Sequence, residues 1–333
     1  MTDISVVVPI YNEFDSLEPL VARLHEALTA IGRSYELVLV DDGSKDGSWD
    51  KMLQLADQYP ALHLIRFRRN FGQTAAMSAG FNESRGEVIV TLDADLQNDP
   101  ADIPKLLEQI DKGYDVVSGW RRDRKDTFLN RRLPSILANS LISRITGVHL
   151  HDYGCTLKAY RREIVQNIQL YGELHRFIPA LASWVGGQLA EVVVSHHPRR
   201  FGKSKYGISR TVRVILDLVT VKFLLRYSTR PIHIFGKLGL ACGLTGVFML
   251  VGMTLANLSY RLFGTEFMAD FIKRPFWVIT PFMLVFFGLQ FLSMGLLAEL
   301  QIRTYHESQH KPIYLIRETR ESAPAKGPRL PQA

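Results

Sequence analysis

At 333 residues with a net charge of +7, the chain is long enough for one large domain plus appendages, and its basic balance points to partners that carry phosphate. Two cysteines, Cys155 and Cys242, stand far apart, which excludes a disulfide framework and a cysteine zinc site and fits a reducing, cytosol-facing protein. The chain enters a strand-like run almost at once, so no cleavable signal peptide is expected.

In chain order, strand-like and helix-like runs alternate. Ile4–Pro9 reads as an apolar strand and Ser16–Ile31 as an amphipathic helix. Tyr35–Val40 is a second strand, Asp46–Tyr59 a helix and Leu62–Phe67 a third strand. Thr74–Ser84 reads as a helix, Glu87–Leu92 as a strand, Pro104–Lys112 as a helix and Asp115–Ser118 as a strand. Apolar residues recur at helical spacing from Pro134 to Ile145, a helix that fits either a core or a membrane-facing position. A further strand is expected at Val192–Ser195, followed by His196 and His197, which read as structural. Strands alternating with helices predict an α/β fold with a mainly parallel sheet covered on both faces. Ligands of such sheets bind beyond the carboxyl ends of the strands. Tyr11, Asp42, Asp93 and Asp95 all fall at that edge.

The segment Asp93-Ala94-Asp95-Leu96 follows the apolar run Val88–Leu92 directly. Two carboxylates one residue apart at a strand end can share a hard divalent cation, Mg²⁺ or Mn²⁺, that in turn holds a diphosphate. A solvated turn is the plainer alternative, since Asp is common there. Asp41 reads as a cap for the turn before Gly43, and Arg68, Arg69 and Asn70 as a loop within reach of a nucleotide or of solvent.

Lys and Arg concentrate between Arg199 and Lys237, just before an apolar segment, where they suit an anionic membrane surface better than nucleic acid; no nucleic-acid motif accompanies them. Ser209–Tyr227 reads as an amphipathic helix lying in that surface. Two runs, 234–258 and 276–298, reach the roughly 20 residues that cross a bilayer. Basic flanks outside the pair predict a multi-pass protein of the cytoplasmic membrane with its N-terminal domain and both termini cytosolic. A Gly-xxx-Gly step at Gly239 and Gly243 can pack helices within one chain or between chains, and a homo-oligomer is expected. The organisation read from the chain is a strand-and-helix domain over 1–208, a juxtamembrane helix over 209–230, a two-helix membrane domain over 231–300, and a tail over 301–333 with a disordered end.

Taken together, Val8-Pro9-Ile10-Tyr11-Asn12-Glu13, Val40-Asp41-Asp42-Gly43-Ser44 and Leu92-Asp93-Ala94-Asp95-Leu96-Gln97 resemble the family 2 glycosyltransferases, which have the Rossmann-like GT-A fold. The segments Asp152–Arg162 and Arg199–Tyr206, with two spans behind them, narrow the resemblance to the polyprenyl-phosphate glycosyltransferases. These include bacterial undecaprenyl-phosphate glucosyl- and aminoarabinosyl-transferases and dolichol-phosphate mannose synthase. The resemblance implies an inverting, metal-dependent transfer of a sugar from a nucleotide diphospho-sugar to undecaprenyl or another polyprenyl phosphate at the cytosolic face. UDP-glucose is the expected donor, with a UDP-aminopentose, UDP-GlcNAc or GDP-mannose as alternatives. By the same resemblance, Pro9, Tyr11, Glu13 and Asp42 would line the base and ribose pocket, and Asp93 and Asp95 would hold Mg²⁺ or Mn²⁺ with Gln97 alongside. Arg121, Arg131, Ser135, Arg199 and Lys205 would surround the donor or acceptor phosphates, and Asp152 would stand near sugar and acceptor. A processive polysaccharide synthase shares the first half of such a fold, but neither its Gln-x-x-Arg-Trp motif nor its extra spans are present. The intact paired carboxylates argue against an inactive membrane-anchored nucleotide-sugar-binding protein. A Rossmann dehydrogenase is excluded because no Gly-x-Gly-x-x-Gly cradle follows the first strand.

Overall fold

The computed structural model describes residues 2–122, 133–168, 170, 174–198, 232–264, 275–308 and 316–321. They form two units, one holding a sheet with its helices and the other holding two long helices.

In the first unit, β1 (Ile4–Ile10), β2 (Tyr35–Asp41), β3 (Leu62–Phe67) and β4 (Val88–Thr91) are apolar runs buried almost throughout, as expected of strands covered on both faces. They alternate with α1 (Phe14–Ile31), α2 (Ser48–Gln58) and α3 (Gln73–Glu83). Helix α1 buries Leu17, Leu20, Val21, Leu24 and Leu28 at three- and four-residue spacing, and it stops at Gly32, whose left-handed φ of 73° lets its N–H reach Thr29 O. Next come α4 (Ile103–Asp111), β5 (Val116–Trp120) and α5 (Leu133–Thr146). Then follow β6 (Lys158–Arg161), α6 (Arg162–Gln166), α7 (Ile178–Trp184) and β7 (Leu189–Val193), with the unit closed by β8 (Ile316–Glu321).

The sheet order is β7-β5-β6-β4-β1-β2-β3-β8. Strands β1 to β4, β5 and β7 run in one direction, whereas β6 and β8 run against it. The carboxyl ends of β1, β2, β4 and β5 therefore share one edge, and the reversed β6 begins there too.

Two strands were not expected. The four residues of β6 are two apolar side chains between two cations, and β8 has one apolar residue, Ile316; neither shows a strand period of its own. Both are extended because a neighbour offers them a ladder: β6 bridges β4 and β5, and β8 covers the outer edge of β3. The 301–333 tail is thus in part a strand of the first unit. The strand expected at Val192–Ser195 lies at Leu189–Val193, because its register is set by β5, with Leu189 opposite Val116 and Val193 opposite Trp120. Ser195 leaves the ladder and donates its N–H to Asp102 Oδ2 at 2.5 Å. Helix α5 matches the expected 134–146 helix and buries Ile142 and Ser143.

The second unit consists of α8 (Ile232–Phe263) and α9 (Pro275–Ser308). Each contains a stretch long and apolar enough to cross a membrane, Phe235–Phe263 and Pro275–Ala298. Leu244, Phe248, Phe282 and Phe286 are exposed on their outer faces, as lipid contact requires. A Cβ on Gly288 would come within 2.8 Å of Gly239 O and 2.7 Å of Gly243 N. The Gly-xxx-Gly step is therefore consumed inside the chain, and it carries no argument for the expected homo-oligomer. The expected juxtamembrane helix at 209–230 and the disordered tail end lie outside the described residues.

Candidate functional site

The first part of the site lies where β1, β2 and β3 end. Pro9 and Tyr11 are half-buried at the tip of β1. Asn12 takes a left-handed φ of 53°, its N–H donates to Ser44 Oγ at 2.9 Å, and its Oδ1 accepts the Lys45 N–H at 2.8 Å. These bonds clamp the β1 and β2 loops together. The Glu13 N–H is held by Ser48 Oγ at 3.1 Å, and the Glu13 carboxylate accepts from Ser16 Oγ. Asp41 caps the turn before Gly43, accepting the Ser44 N–H at 3.0 Å. Gly43 has a φ of 70°, and a Cβ there would stand 2.5 Å from the Arg69 carbonyl carbon, so only glycine lets the two loops approach.

Asp42 is buried and accepts the Phe71 N–H at 2.6 Å and the Gly72 N–H at 2.9 Å. Burial nevertheless pushes its carboxyl up to about 6. Asn70 Nδ2 donates to the Asp42 carbonyl, and Arg69 stacks its guanidinium on the Phe71 ring at 4.1 Å. The 69–72 loop is thus built onto Asp42. The sequence reading proposed Asp42 for the nucleotide pocket but missed that it also organises the entry to α3.

The second part lies beyond β4. Gln73, the first residue of α3, donates Nε2 to Asp93 Oδ1 at 2.8 Å, and Asp95 Oδ1 accepts the Gln97 N–H at 3.1 Å. Leu96, at φ 60°, turns the chain sharply so that Asp95 and Gln97 close on each other. Asp93 holds its proton well above the usual carboxylate range, first because of burial and then because Asp95 is charged beside it. Among the described residues no group of three or more His, Cys, Asp or Glu side chains gathers as a metal cage. Two hard carboxylates that repel each other in a buried place still fit a divalent cation, with open positions for a substrate diphosphate.

The third part joins β5 to the loop before β6. Arg121, directly after β5, forks onto Asp152 with Nε to Oδ2 at 2.7 Å and Nη2 to Oδ1 at 3.0 Å. The sequence reading set these two residues at separate tasks, Arg121 on phosphate and Asp152 on sugar or acceptor; the fold pairs them. Glu191 of β7 anchors the same loop by accepting the His151 and Asp152 N–H groups. The buried Lys158 ammonium donates to the Tyr153 and Cys155 carbonyls. Asn98 reaches across to Thr156 Oγ1 at 2.9 Å, and His197 bonds Asp99 at 2.9 Å.

Between the second and third parts opens a small cavity of about 40 Å³ lined by Gln73, Asp93, Lys158, Tyr160, His175 and Arg176 among others. His175 is fixed by Thr74, ring Nδ1 to Oγ1 at 2.8 Å, across 101 positions of chain. Lys158, His175 and Arg176 were not foreseen as site residues. Lys158 lay inside a quoted segment, and the other two carried no spacing signal. Arg131, Arg199 and Lys205 lie outside the described residues, and Ser135 is placed only as a position in α5.

A twisted, mainly parallel sheet with paired carboxylates beyond a central strand defines a GT-A fold. Solved structures agree on the fold alone. The glucosyl-3-phosphoglycerate synthase of Mycobacterium tuberculosis, in complex with Mn²⁺, UDP and phosphoglyceric acid, superposes with TM-score 0.53 at 16% identity over 67% of this chain and 78% of that one. The mannosyl-3-phosphoglycerate synthase of Rubrobacter xylanophilus gives TM-score 0.55 at 17% identity over 67% and 74%. Residues 5–169 match the family described as glycosyl transferase family 2. A dodecaprenyl-phosphate galacturonate synthase of Rhizobium johnstonii is 45% identical over 95% of this chain and 92% of its own length. An undecaprenyl-phosphate 4-deoxy-4-formamido-L-arabinose transferase of Edwardsiella ictaluri is 40% identical over 94% and 93%. The chain belongs to glycosyl transferase family 2 and is a glycosyltransferase.

Proposed function

We propose that this enzyme moves a sugar from a nucleotide diphospho-sugar to a polyprenyl phosphate at the cytosolic face of a membrane. The observation that carries the reading is the Asp93–Asp95 pair at the same sheet edge as Asp42, in a chain whose full-length relatives act on lipid phosphates. The expectation of glucose finds no support among those relatives, which handle galacturonate and a formamido-arabinose. One of these two donor classes replaces it here.

Asp42 and the Tyr11–Glu13 tip would receive the base and ribose, and Asp93, Asp95 and Gln97 the diphosphate with Mg²⁺ or Mn²⁺. When bound, the cation supplies Lewis-acid stabilisation of the departing diphosphate. An acceptor phosphate oxygen attacks the anomeric carbon from the face opposite the leaving group. The new C–O bond forms as the bond to the nucleoside diphosphate breaks, and the configuration inverts. A phosphate monoester with a second pKa near 6 is already anionic at neutral pH, so no side chain has to take a proton from it. The acceptor needs alignment and charge screening, the expected work of Arg131, Ser135, Arg199 and Lys205. Asp152, held by Arg121, suits a positioning role and not that of a base. Apolar α8 and α9 would anchor the enzyme where its lipid substrate resides.

The test uses purified full-length protein with Mn²⁺, undecaprenyl phosphate and, separately, UDP-galacturonate, UDP-4-deoxy-4-formamido-L-arabinose, UDP-glucose and UDP-GlcNAc. Glycolipid formation is followed by mass spectrometry. Lipid-dependent turnover with an acidic or aminopentose donor is expected. Sugar-nucleotide cleavage that ignores the lipid would overturn the acceptor, and best turnover with UDP-glucose would restore the original donor.

A further inference from the structure

Asp93 is gripped by neutral donors on two sides. Gln73 Nε2 reaches its Oδ1 at 2.8 Å, and the Thr156 hydroxyl bonds the same carboxylate from the loop before β6. The direction of that second bond follows from its neighbour. Asn98 Nδ2 donates to Thr156 Oγ1 at 2.9 Å, so the hydroxyl accepts there and turns its own hydrogen towards Asp93. Thr91 Oγ1 holds the Thr156 carbonyl at 2.7 Å, which ties the loop to β4.

Gln73 is as firmly seated. It is the first residue of α3, and the two N–H groups before it, of Phe71 and Gly72, are held by Asp42 at 2.6 and 2.9 Å. Helix α3 lies so close on β1 that a Cβ on Gly80 would collide with the Val7 side chain. A donor on a packed helix is aimed more precisely than one on a loop.

The torsion that turns a carboxylate is soft, and the like charge of Asp95 pushes Asp93 away. A lysine or arginine bonded to Asp93 would hold it, but at the cost of repelling an incoming cation. An amide and a hydroxyl orient the group without adding charge. An ionised carboxylate offers about four lone pairs, and these two bonds leave about half of them for a ligand.

We propose that Gln73 and Thr156 are positioning residues that hold the Asp93 carboxylate in the orientation a divalent cation needs, Gln73 from the side of Asp42 and Thr156 from the side of the Asp152 loop. The assignment rests on the reading of Asp93 as a metal ligand. It makes the strength of the cation site depend on two uncharged side chains behind the carboxylate.

The experiment measures Mn²⁺ binding to the full-length protein in detergent, by loss of the free-ion electron paramagnetic resonance signal, without nucleotide and then with UDP. Gln73→Met and Thr156→Val remove the donors at nearly constant volume, and Thr156→Ser restores the hydroxyl. Loss of an outer partner of a metal ligand weakens binding roughly 10–100-fold, so each of the first two should lose about that much, with Thr156→Ser within about threefold of wild type. UDP affinity in EDTA should stay unchanged in all three. Mn²⁺ affinity within about twofold of wild type in Gln73→Met overturns the proposal, as does tighter binding, which would mean that the amide competes with the cation. A lower metal-free melting temperature with Mn²⁺ affinity intact makes the clamp structural and overturns it too. If UDP in EDTA weakens as much as Mn²⁺, Gln73 serves the nucleotide instead. Should Gln73→Met not fold, equal Mn²⁺ affinities in Thr156→Val and Thr156→Ser overturn the clamp. Asp93→Asn tests the reading underneath: wild-type Mn²⁺ affinity in that variant removes Asp93 from the metal set and the clamp with it. A loss in Asp93→Asn with Gln73→Met unaffected leaves the metal reading standing and sinks the clamp alone.

Discussion

Arg121 and Asp152 form a forked ion pair with only 12% and 4% of their side chains exposed, and it joins the end of β5 to the loop that precedes β6. The carboxylate favours the charged guanidinium strongly, raising its proton affinity despite burial. Breaking such a pair from one side leaves the other charge buried and uncompensated. Arg121→Met is therefore expected to cost about 3–5 kcal/mol of stability. Asp152→Asn strands the guanidinium, which cannot shed its proton, and should cost a similar amount. Thermal unfolding of both variants tests this, and losses below about 1 kcal/mol in either would show that the pair is not a bracket between the two segments.

Asp42 should impose a pH dependence. Its folded pKa, about 6, lies above the ordinary carboxyl value of 3.8, so between those limits the folded state binds more protons than the unfolded state. This contribution is fully present below the unfolded value and is lost as pH rises through about 6. At 1.36 kcal/mol per unit, the wild type should lose on the order of 3 kcal/mol relative to Asp42→Asn across that window. Parallel melting temperatures of the two proteins from pH 4 to about pH 7.5 would contradict it. Under the proposed role of Asp42, donor affinity should move the other way, because the ionised carboxylate that would accept from the nucleotide is lost below about 6.

Asp95→Asn removes one of two adjacent carboxylates and one of the charges that a divalent cation would neutralise. Mn²⁺ with UDP should raise the melting temperature of the wild type, and the shift should nearly vanish in the variant. Turnover should fall roughly 100-fold or more, and chelation of the wild type should match it. A full thermal shift in Asp95→Asn would remove the residue from the metal set.

Cys155 should be inert in the native protein. Burial lifts its thiol to about 11, and Lys158 keeps the loop around it closed. Iodoacetamide near pH 8 should leave Cys155 unlabelled. Lys158→Met strands two buried carbonyls at about 1–3 kcal/mol each and should open the loop, so that labelling appears. The labelled peptide is identified by mass spectrometry, and rapid native labelling would contradict the closed loop.

Much of the first unit was legible because its strands are apolar on both faces and its helices repeat their apolar residues at helical spacing. Strand β6 was not legible, since four residues with a cation at each end have no period, and β8 could not be found from Ile-Arg-Glu-Thr-Arg-Glu. Their extended shape is a property of their neighbours. The site divides the same way. Asp42, Asp93 and Asp95 announce themselves by following apolar runs. The Arg121–Asp152 fork and the Thr74–His175 contact join residues 31 and 101 positions apart, a proximity that only the assembled sheet creates.

Strand β8 is the last described piece of the chain, yet it completes a sheet begun at Ile4. A ribosome delivers residues in order, so the outer edge of β3 stays open until α8 and α9 have both been made. An open edge is a template for pairing with other chains. Assembly accordingly has a built-in sequence, with the apolar pair first and the finished sheet second. A nascent copy stalled before β8 emerges would display a raw β3 edge, the kind of surface by which chaperones and proteases sort incomplete proteins from finished ones.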